Sequence, residues 1–306
     1  SGDGGGIYVY DATPQLYNVV ITGNSTGMDA YAMPGEGGGI YLEQATLTAE
    51  NVVISSNESM DAGGGIYAFS STLTLTNSII EGNISSAYGG GMYASDSTVE
   101  LSRVKIASNS ASMASGGGIY LYDGVTEMVN VYFIENSSSN GTGSLTGGGS
   151  LTMTNVTIAD SSAATGSNAV SIGSSTTWAN VAVVGSNEWG VSSYGSPDIS
   201  YSNVWCTFNG NYTNMTDPTG TQGNISEEPL YLDSHCTHGS GSVDDSHLTS
   251  PSPQVDTGDP SILDPDGSPS DIGHYGGPGG GSWDLDFDGY PEWWQPDDYD
   301  HASYPA

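Results

Sequence analysis

Carboxylates near the C-terminus are the residue types best placed to do chemistry. The stretch from Asp284 to Glu292 has the spacing D-x-D-x-D-G, which brings three carboxylates to one side of a tight loop with glycine at the turn. Because hard cations prefer oxygen ligands, we expect Ca²⁺ to bind here as the cofactor. The expected ligands are the side chains of Asp284, Asp286, Asp288 and Glu292 and the carbonyl oxygen of Tyr290. The alternative is an acidic tail that holds no metal.

A second group of aspartates lies upstream, and its members are Asp256, Asp259, Asp264, Asp266 and Asp271. Of these, Asp264, Asp266 and Asp271 are a possible second metal site. An equally good interpretation is that the aspartates stabilise turns, because an aspartate side chain can bond to its own backbone two residues on.

The two cysteines, Cys206 and Cys236, form a third group. An even, small number of cysteines is typical of a disulfide in a secreted protein. Two unpaired thiols are one alternative. Zinc is another, because His235, Cys236 and His238 are ligand types, but a fourth ligand is not evident.

The first part of the chain contains an internal repeat. Three glycines followed by an apolar residue and a tyrosine occur five times, ending at Tyr8, Tyr41, Tyr67, Tyr93 and Tyr120. The period is 26 or 27 residues in the middle copies and 31 to 33 where a loop is inserted. Self-similarity at such a period indicates a solenoid. The tyrosines are expected to stack on one face, where they stabilise the sheet or bind a sugar or partner.

A second pattern, Asn-Val-x-Ile-x-x-Asn, lies inside each repeat. Its first position is Asn18, Asn51, Asn77, Arg103, Asn130, Asn155, Asn180 and Asn203. Apolar residues at alternate positions indicate a strand with one buried face, so the residues between them are expected to face outward. The asparagines are expected at corners and in hydrogen-bonded ladders, and the glycines at sharp turns.

These motifs resemble the right-handed parallel β-helix family, in particular its polymorphic outer-membrane-protein and pectin-lyase-like types. The resemblance implies an all-β solenoid of about eight coils over residues 1–210. Residues 251–278 are similar to a closing module, which implies a loop-rich C-terminal cap over 211–281. Residues 282–306, an acidic tail, contain the loop that resembles the calcium loops of thrombospondin type 3 and dockerin-like repeats.

The charge balance excludes several partners. The chain has 35 acidic and 2 basic residues, for a net charge of −33. Nucleic acid and anionic membranes are therefore not expected as partners, and no run of residues is apolar enough to span a membrane. Such an acidic chain favours divalent cations and an extracellular or cell-surface location.

A catalytic role is not expected. Lyases of this fold need a cation or base near the substrate, and glycosidases need paired acids on one face, whereas the predicted strands carry mostly threonine, serine, valine and tyrosine. We expect instead a structural surface protein that assembles end to end with itself. An adhesin or glycan-binding module is the alternative, and a lyase or glycosidase is less favoured. Sequons at Asn140, Asn211 and Asn214 are the best glycosylation candidates.

Overall fold

The computed structural model describes residues 2–28, 33–237 and 240–282, with the backbone alone described for residues 233–245 within these ranges and for residue 282. These residues form strands β1 to β24, numbered in chain order, and one 3₁₀ turn at Gly280–Ser282. The predicted calcium ligands Asp284, Asp286, Asp288, Tyr290 and Glu292 lie outside the described residues.

Two long parallel sheets and one short sheet make up the body of the protein. The first sheet consists of β1 (Ile7–Tyr10), β3 (Ile40–Glu43), β6 (Ile66–Phe69), β9 (Met92–Ser95), β12 (Ile119–Leu121), β15 (Leu145–Gly147), β17 (Asn168–Ile172), β19 (Trp189–Ser193) and β22 (Gly210–Thr213). The second consists of β2 (Gln15–Thr22), β4 (Thr46–Ser55), β7 (Thr72–Glu81), β10 (Ser97–Ala107), β13 (Gly124–Ile134), β16 (Ser150–Ala159), β18 (Thr176–Ser186), β20 (Asp198–Ser200) and β21 (Asn203–Thr207). The third holds β5 (Glu58–Ser59), β8 (Ile84–Ser85), β11 (Ser110–Ala111) and β14 (Ser137–Ser138). A separate hairpin pairs β23 (Tyr231–Thr237) with β24 (Ser240–Leu248).

One sequence repeat is one turn of a parallel β-helix. Tyr41 on β3 pairs with Tyr67 on β6, and Tyr67 pairs with Tyr93 on β9, so each repeat stacks on the next in register. The first sheet contains nine strands in a row, so the number of turns differs slightly from the predicted eight. The all-β parallel solenoid predicted from the repeat is confirmed.

The core of the rod comes from the alternating apolar residues of each strand. In β7 the side chains of Leu73, Leu75 and Ile80 are fully buried, while those of Thr74, Thr76 and Ile79 are half-buried. Equivalent residues of neighbouring coils join them in one continuous hydrophobic cluster along the rod. Each coil therefore buries its apolar face against its neighbours, as the solenoid principle requires.

The first Asn column forms a corner within the long strands. Its members from Asn18 to Asn180, including Arg103, have φ between 46° and 60°. Asparagine tolerates this left-handed conformation better than most residues, which explains its recurrence. In the last coil the expected position, Asn203, is not left-handed, and Tyr201 and Cys206 take that conformation instead.

The second Asn column forms a buried ladder through Asn24, Asn57, Asn83, Asn109 and Asn136. In each step one side-chain Nδ2 donates to the Oδ1 of the next asparagine at 2.9–3.0 Å. Asn209 holds the equivalent position of the motif in the last coil, but it is exposed and donates to Glu188 instead.

The triple glycines lie where adjacent coils come closest. Gly37 has a φ of +66°, and a Cβ on Gly38 would lie 2.4 Å from the carbonyl oxygen of Gly64 in the next coil. A side chain at either position is incompatible with the turn, so the predicted sharp corner and close backbone approach are confirmed.

Residues 250–282, called the C-terminal segment below, lie against the side of the rod. Ile272 packs with Tyr132 and Ala182 in a second hydrophobic cluster, which also contains Tyr231. Tyr132, Thr157 and Ala182 were expected to face solvent, but they are buried because this segment covers them.

No helix among the described residues is both long and apolar enough to cross a membrane.

Candidate functional site

Three aspartates of the C-terminal segment converge to form the aspartate triad, Asp256, Asp264 and Asp271. One carboxylate oxygen from each lies within 4.8 Å of the others. The backbone N–H of Asp256 donates to Oδ1 of Asp271 at 2.8 Å, and the N–H of Asp271 donates to Oδ2 of Asp264 at 3.1 Å. These bonds fix the loop so that three acidic groups face one point.

The fold opposes ionisation of two members of the triad. Burial raises the pKa of Asp271 to about 7, and the nearby charges of Asp264 and Asp256 add to this rise. Burial likewise raises the pKa of Asp264 to about 6, although N–H donors from Gly277 and Asp271 lower it in part. A bound cation would relieve both effects, because it favours the charged form of each carboxyl.

The sequence placed Asp266 in this group, and its charge adds to the rise in the pKa of Asp264 and Asp271, but its carboxylate is held by a neighbouring turn. Oδ1 of Asp266 accepts hydrogen bonds from the backbone N–H and the hydroxyl of Ser268. Asp259 makes the same pair of contacts with Ser261. Both aspartates therefore stabilise turns, and Asp256 joins Asp264 and Asp271 instead because its backbone is held by Asp271.

Asparagines of the rod anchor the C-terminal segment that carries the triad. Nδ2 of Asn130 donates to the carbonyl oxygens of His274 and Gly276 at 2.8 and 2.7 Å. Nδ2 of Asn155 also donates to Gly276 O, and the N–H of Asp259 donates to Oδ1 of Asn180 at 2.7 Å. The triad is thus supported by side chains from three successive coils.

Aromatic rings pack on the same anchoring surface. The His274 ring lies parallel to that of Tyr132 with 4.3 Å between centroids, and Tyr275 stacks on His247 at 4.1 Å. Burial lowers the pKa of His274 well below its usual value, and the charges of His247 and Lys105 lower it further. His274 therefore acts as a neutral packing group in the described structure.

The tyrosine stack consists of Tyr8, Tyr41, Tyr67, Tyr93 and Tyr120. Successive ring centroids are 5.0 to 5.6 Å apart with interplanar angles of 3° to 9°. Because each ring covers the next, Tyr41 is only 8 % exposed whereas Tyr8 at the end of the stack is 47 % exposed. The stacking interpretation accounts for this geometry, and ligand binding by the column stays a prediction.

An acidic group beside the stack was not found from the sequence. Burial raises the pKa of Glu36 to about 7, although the hydroxyl of Tyr67 donates to it, and Asp61 and Asp3 lie close enough to raise it further. Asp3 and Glu36 each directly precede a triple glycine. This shared position in the repeat could have indicated from the sequence that the two carboxyls lie near each other.

Cys206 is disulfide-bonded in the structure, and the sequence has one other cysteine, Cys236. Among the sequons, Asn140 and Asn214 are exposed. Asn211 is half-buried, and its amide donates to the carbonyl of Val204 and the hydroxyl of Ser226. Asn140 and Asn214 are therefore the more accessible of the three predicted glycosylation sites.

Comparison with known proteins agrees with the fold. Residues 1–138 match the family model described as the right-handed β-helix region. This match and the parallel coil topology support a relationship of the chain to the β-helix repeat family. No curated protein and no solved structure matches the chain.

Proposed function

We propose that this protein is an extracellular structural module that assembles end to end with itself, and that calcium bound at the aspartate triad stabilises it. Proteins with this fold include surface and carbohydrate-binding proteins as well as lyases, so the proposal depends on features particular to this chain.

The outer edge of the first described coil is the observation that carries the assembly. Among the described strands, β1 and β2 each pair on one side alone, with β3 and β4. The side chains of Ile7, Leu16 and Val19 pack against the core of the rod but are only half-buried. Tyr8 stacks on Tyr41 with one face of its ring, and no other tyrosine of the stack covers the outer face. An apolar strand edge of this kind favours pairing with another strand.

The opposite end of the same sheet offers a complementary edge. β22 pairs with β19 on one side, and its Tyr212 is half-buried against the core. Joining β22 of one copy to β1 of the next would continue a parallel sheet. Such a head-to-tail contact does not close on itself, so it generates a filament.

Calcium is supported by charge and by geometry. The chain has two basic residues to offset 35 acidic ones, and the aspartate triad concentrates three carboxylates within 4.8 Å. Oxygen ligands of this kind suit Ca²⁺, whose coordination is flexible. Calcium bound at the predicted loop from Asp284 to Glu292 would also stabilise the protein.

The proposal is tested by sedimentation velocity and negative-stain electron microscopy in millimolar calcium and in chelator. We expect filaments in calcium and shorter species after chelation. The variant Val19→Asp places a charge on the half-buried first edge and should remain monomeric, whereas Val125→Asp on the exposed side of the rod should still assemble. Monodisperse single rods in both solutions would overturn the assembly.

A glycan-directed function is the second candidate, and Glu36 is the observation that favours it. A carboxyl with a pKa near 7 beside a tyrosine hydroxyl and a second acid resembles the general acid of glycoside cleavage. Release of reducing sugar from a polysaccharide by the native chain, and its loss in Glu36→Gln, would establish this function in place of a purely structural one.

A further inference from the structure

A fully buried glutamine lies where the C-terminal segment meets the rod. Gln254 is 0 % exposed, and neither Nε2 nor Oε1 of its side chain has a hydrogen-bond partner. Its backbone, by contrast, is fixed, because the N–H donates to Oγ of Ser252 at 3.1 Å and the carbonyl oxygen accepts from the N–H of Ile272 at 3.0 Å. The amide is therefore held in the interior with both ends unsatisfied, which is costly unless a further molecule binds there.

A tyrosine hydroxyl from the hairpin lies beside this amide. Tyr231, the first residue of β23, is buried, and its hydroxyl also has no hydrogen-bond partner. Burial raises the pKa of Tyr231, and the side chains of Thr157 and Gln254 lower it in part because both lie close to the hydroxyl. Neither of them meets the hydroxyl with the distance and geometry of a hydrogen bond. The hydroxyl and the amide are thus neighbours that do not bond to each other.

The rod supplies the third wall of this polar site. Thr157 on β16 is buried, and its Oγ1 accepts a hydrogen bond from the backbone N–H of His274 at 3.1 Å. A hydroxyl that accepts in this way still has a hydrogen to donate. Asp160 directly follows β16, and its charge acts on the hydroxyl of Tyr231. Ile272 packs in the same buried apolar cluster as Tyr231, so apolar side chains separate the site from bulk solvent.

The chemistry of these groups selects the molecule that fits between them. Nε2 of the amide and the two hydroxyls carry hydrogens that need acceptors, whereas Oε1 of the amide needs a donor. A bound cation would offer no acceptor to the buried N–H groups. Water both donates and accepts, and a buried water typically makes about three hydrogen bonds to polar groups that are otherwise unsatisfied. The site therefore has the donors and acceptors that water requires, and not the ligand set of a metal ion.

We propose that Gln254, Tyr231 and Thr157 bind at least one internal water molecule, which bridges the C-terminal segment, the hairpin and the rod. The water is a structural ligand, because it joins three side chains that do not bond to one another. Its exchange with solvent requires the C-terminal segment to lift from the rod, so it stays bound far longer than water at the surface. This site depends neither on calcium at the aspartate triad nor on end-to-end assembly.

Magnetic relaxation dispersion of water oxygen-17 tests the proposal in the full chain, in chelator. This measurement counts the water molecules that stay inside a protein for longer than its rotational tumbling time. Gln254→Met keeps the length of the side chain and removes both unsatisfied atoms, so it should lose the signal of at least one water molecule. Gln15→Met is the matched control, because Gln15 is exposed on β2, and it should keep the native signal. Equal signals for Gln254→Met and the native chain would overturn the proposal.

A crystal structure of the native chain gives a second test, which does not depend on the folding of any variant. We expect an oxygen-sized peak about 2.9 Å from the Gln254 amide and from the Tyr231 hydroxyl. The absence of this peak, at a resolution that shows other buried waters, would contradict the proposal. A peak about 2.4 Å from several oxygen atoms would identify a cation and would contradict it equally.

Discussion

At the scale of single residues, the aspartate triad is a place where the fold opposes charge. Asp264 and Asp271 are half-buried, and desolvation and mutual repulsion raise their pKa values by more than their backbone N–H donors lower them. The folded pKa values of about 6 and about 7 exceed the unfolded value near 4. The stability that these groups contribute is present below pH 4 and is lost as the pH rises through 6 to 7 without a cation.

Calcium binding at the triad should therefore release protons. At pH 7 about half a proton should leave per ion bound, mostly from Asp271, because a carboxylate must be ionised to bind the metal. At pH 9 the release should be negligible. Isothermal titration calorimetry in two buffers of different ionisation enthalpy measures the difference.

Asp271→Asn serves as the comparison, because the amide keeps the shape of the side chain and cannot ionise. It should reduce calcium affinity at the triad at least tenfold and proton release to about a tenth of a proton at pH 7. Asp266→Asn should lower both values much less, since Asp266 bonds to Ser268 and acts on the triad through its charge alone. Equal proton release at pH 7 and pH 9 would contradict the raised pKa values.

The sequence grouped all three members of this triad with Asp259 and Asp266, but the narrower metal site predicted from it contained Asp266 in place of Asp256. Asp264 and Asp271 were chosen for their proximity along the chain, and so was Asp266. Which of them share a point in space depends on the turn at Ser268 and on the backbone bond between Asp256 and Asp271. Local turn geometry of this kind is not encoded in aspartate spacing alone.

At the scale of elements, the buried ladder joins the coils through side chains. Nδ2 of Asn83 donates to Oδ1 of Asn109 and to the carbonyl oxygen of Ile54. Oδ1 of Asn83 accepts hydrogen bonds from the backbone N–H and from Nδ2 of Asn57. Four groups in two neighbouring coils therefore depend on one amide. Each would be left without this partner in the interior if the amide were removed.

Asn83→Ala should lower the free energy of unfolding by about 3 kcal/mol, because several buried polar groups lose their partners at once. Asn51→Gly should cost less than about 1 kcal/mol, since Asn51 is partly exposed and glycine readily adopts its φ of 55°. Urea denaturation followed by circular dichroism measures both. Equal losses for the two variants would show that the ladder adds little beyond its corner conformation.

The periodicity of the sequence predicted the strands far better than it predicted the packing of the C-terminal segment. Alternation of apolar residues fixes which side of a strand is buried against its own coil, as at Leu73 and Leu75. It contains no information on what later covers the other side. Tyr132 and Ala182 were therefore expected in solvent, although a distant segment buries them.

At the scale of the whole molecule, unbalanced charge opposes the compact rod. A net charge of −33 with two basic residues leaves most carboxylates without a cationic partner. Mutual repulsion of this kind destabilises the folded state and weakens as salt shortens the range of the interaction. That range is about 30 Å at 0.01 M salt and about 8 Å at 0.15 M.

Monovalent salt should therefore raise the Tm by several degrees between 0.01 and 0.15 M sodium chloride in chelator, measured by differential scanning calorimetry. Asp271→Asn should keep this response and lose most of the additional rise in Tm caused by calcium. A Tm independent of sodium chloride would mean that the carboxylates are too far apart, or too well solvated, to repel one another.

The position of the two basic residues also bears on digestion. A protease of the trypsin type cleaves after lysine or arginine, and the whole chain offers it Arg103 and Lys105. Both lie inside β10, which pairs with a neighbouring strand on each side, so neither peptide bond can enter a protease cleft unless the coil opens. The folded rod is thus a poor substrate for this entire class of protease.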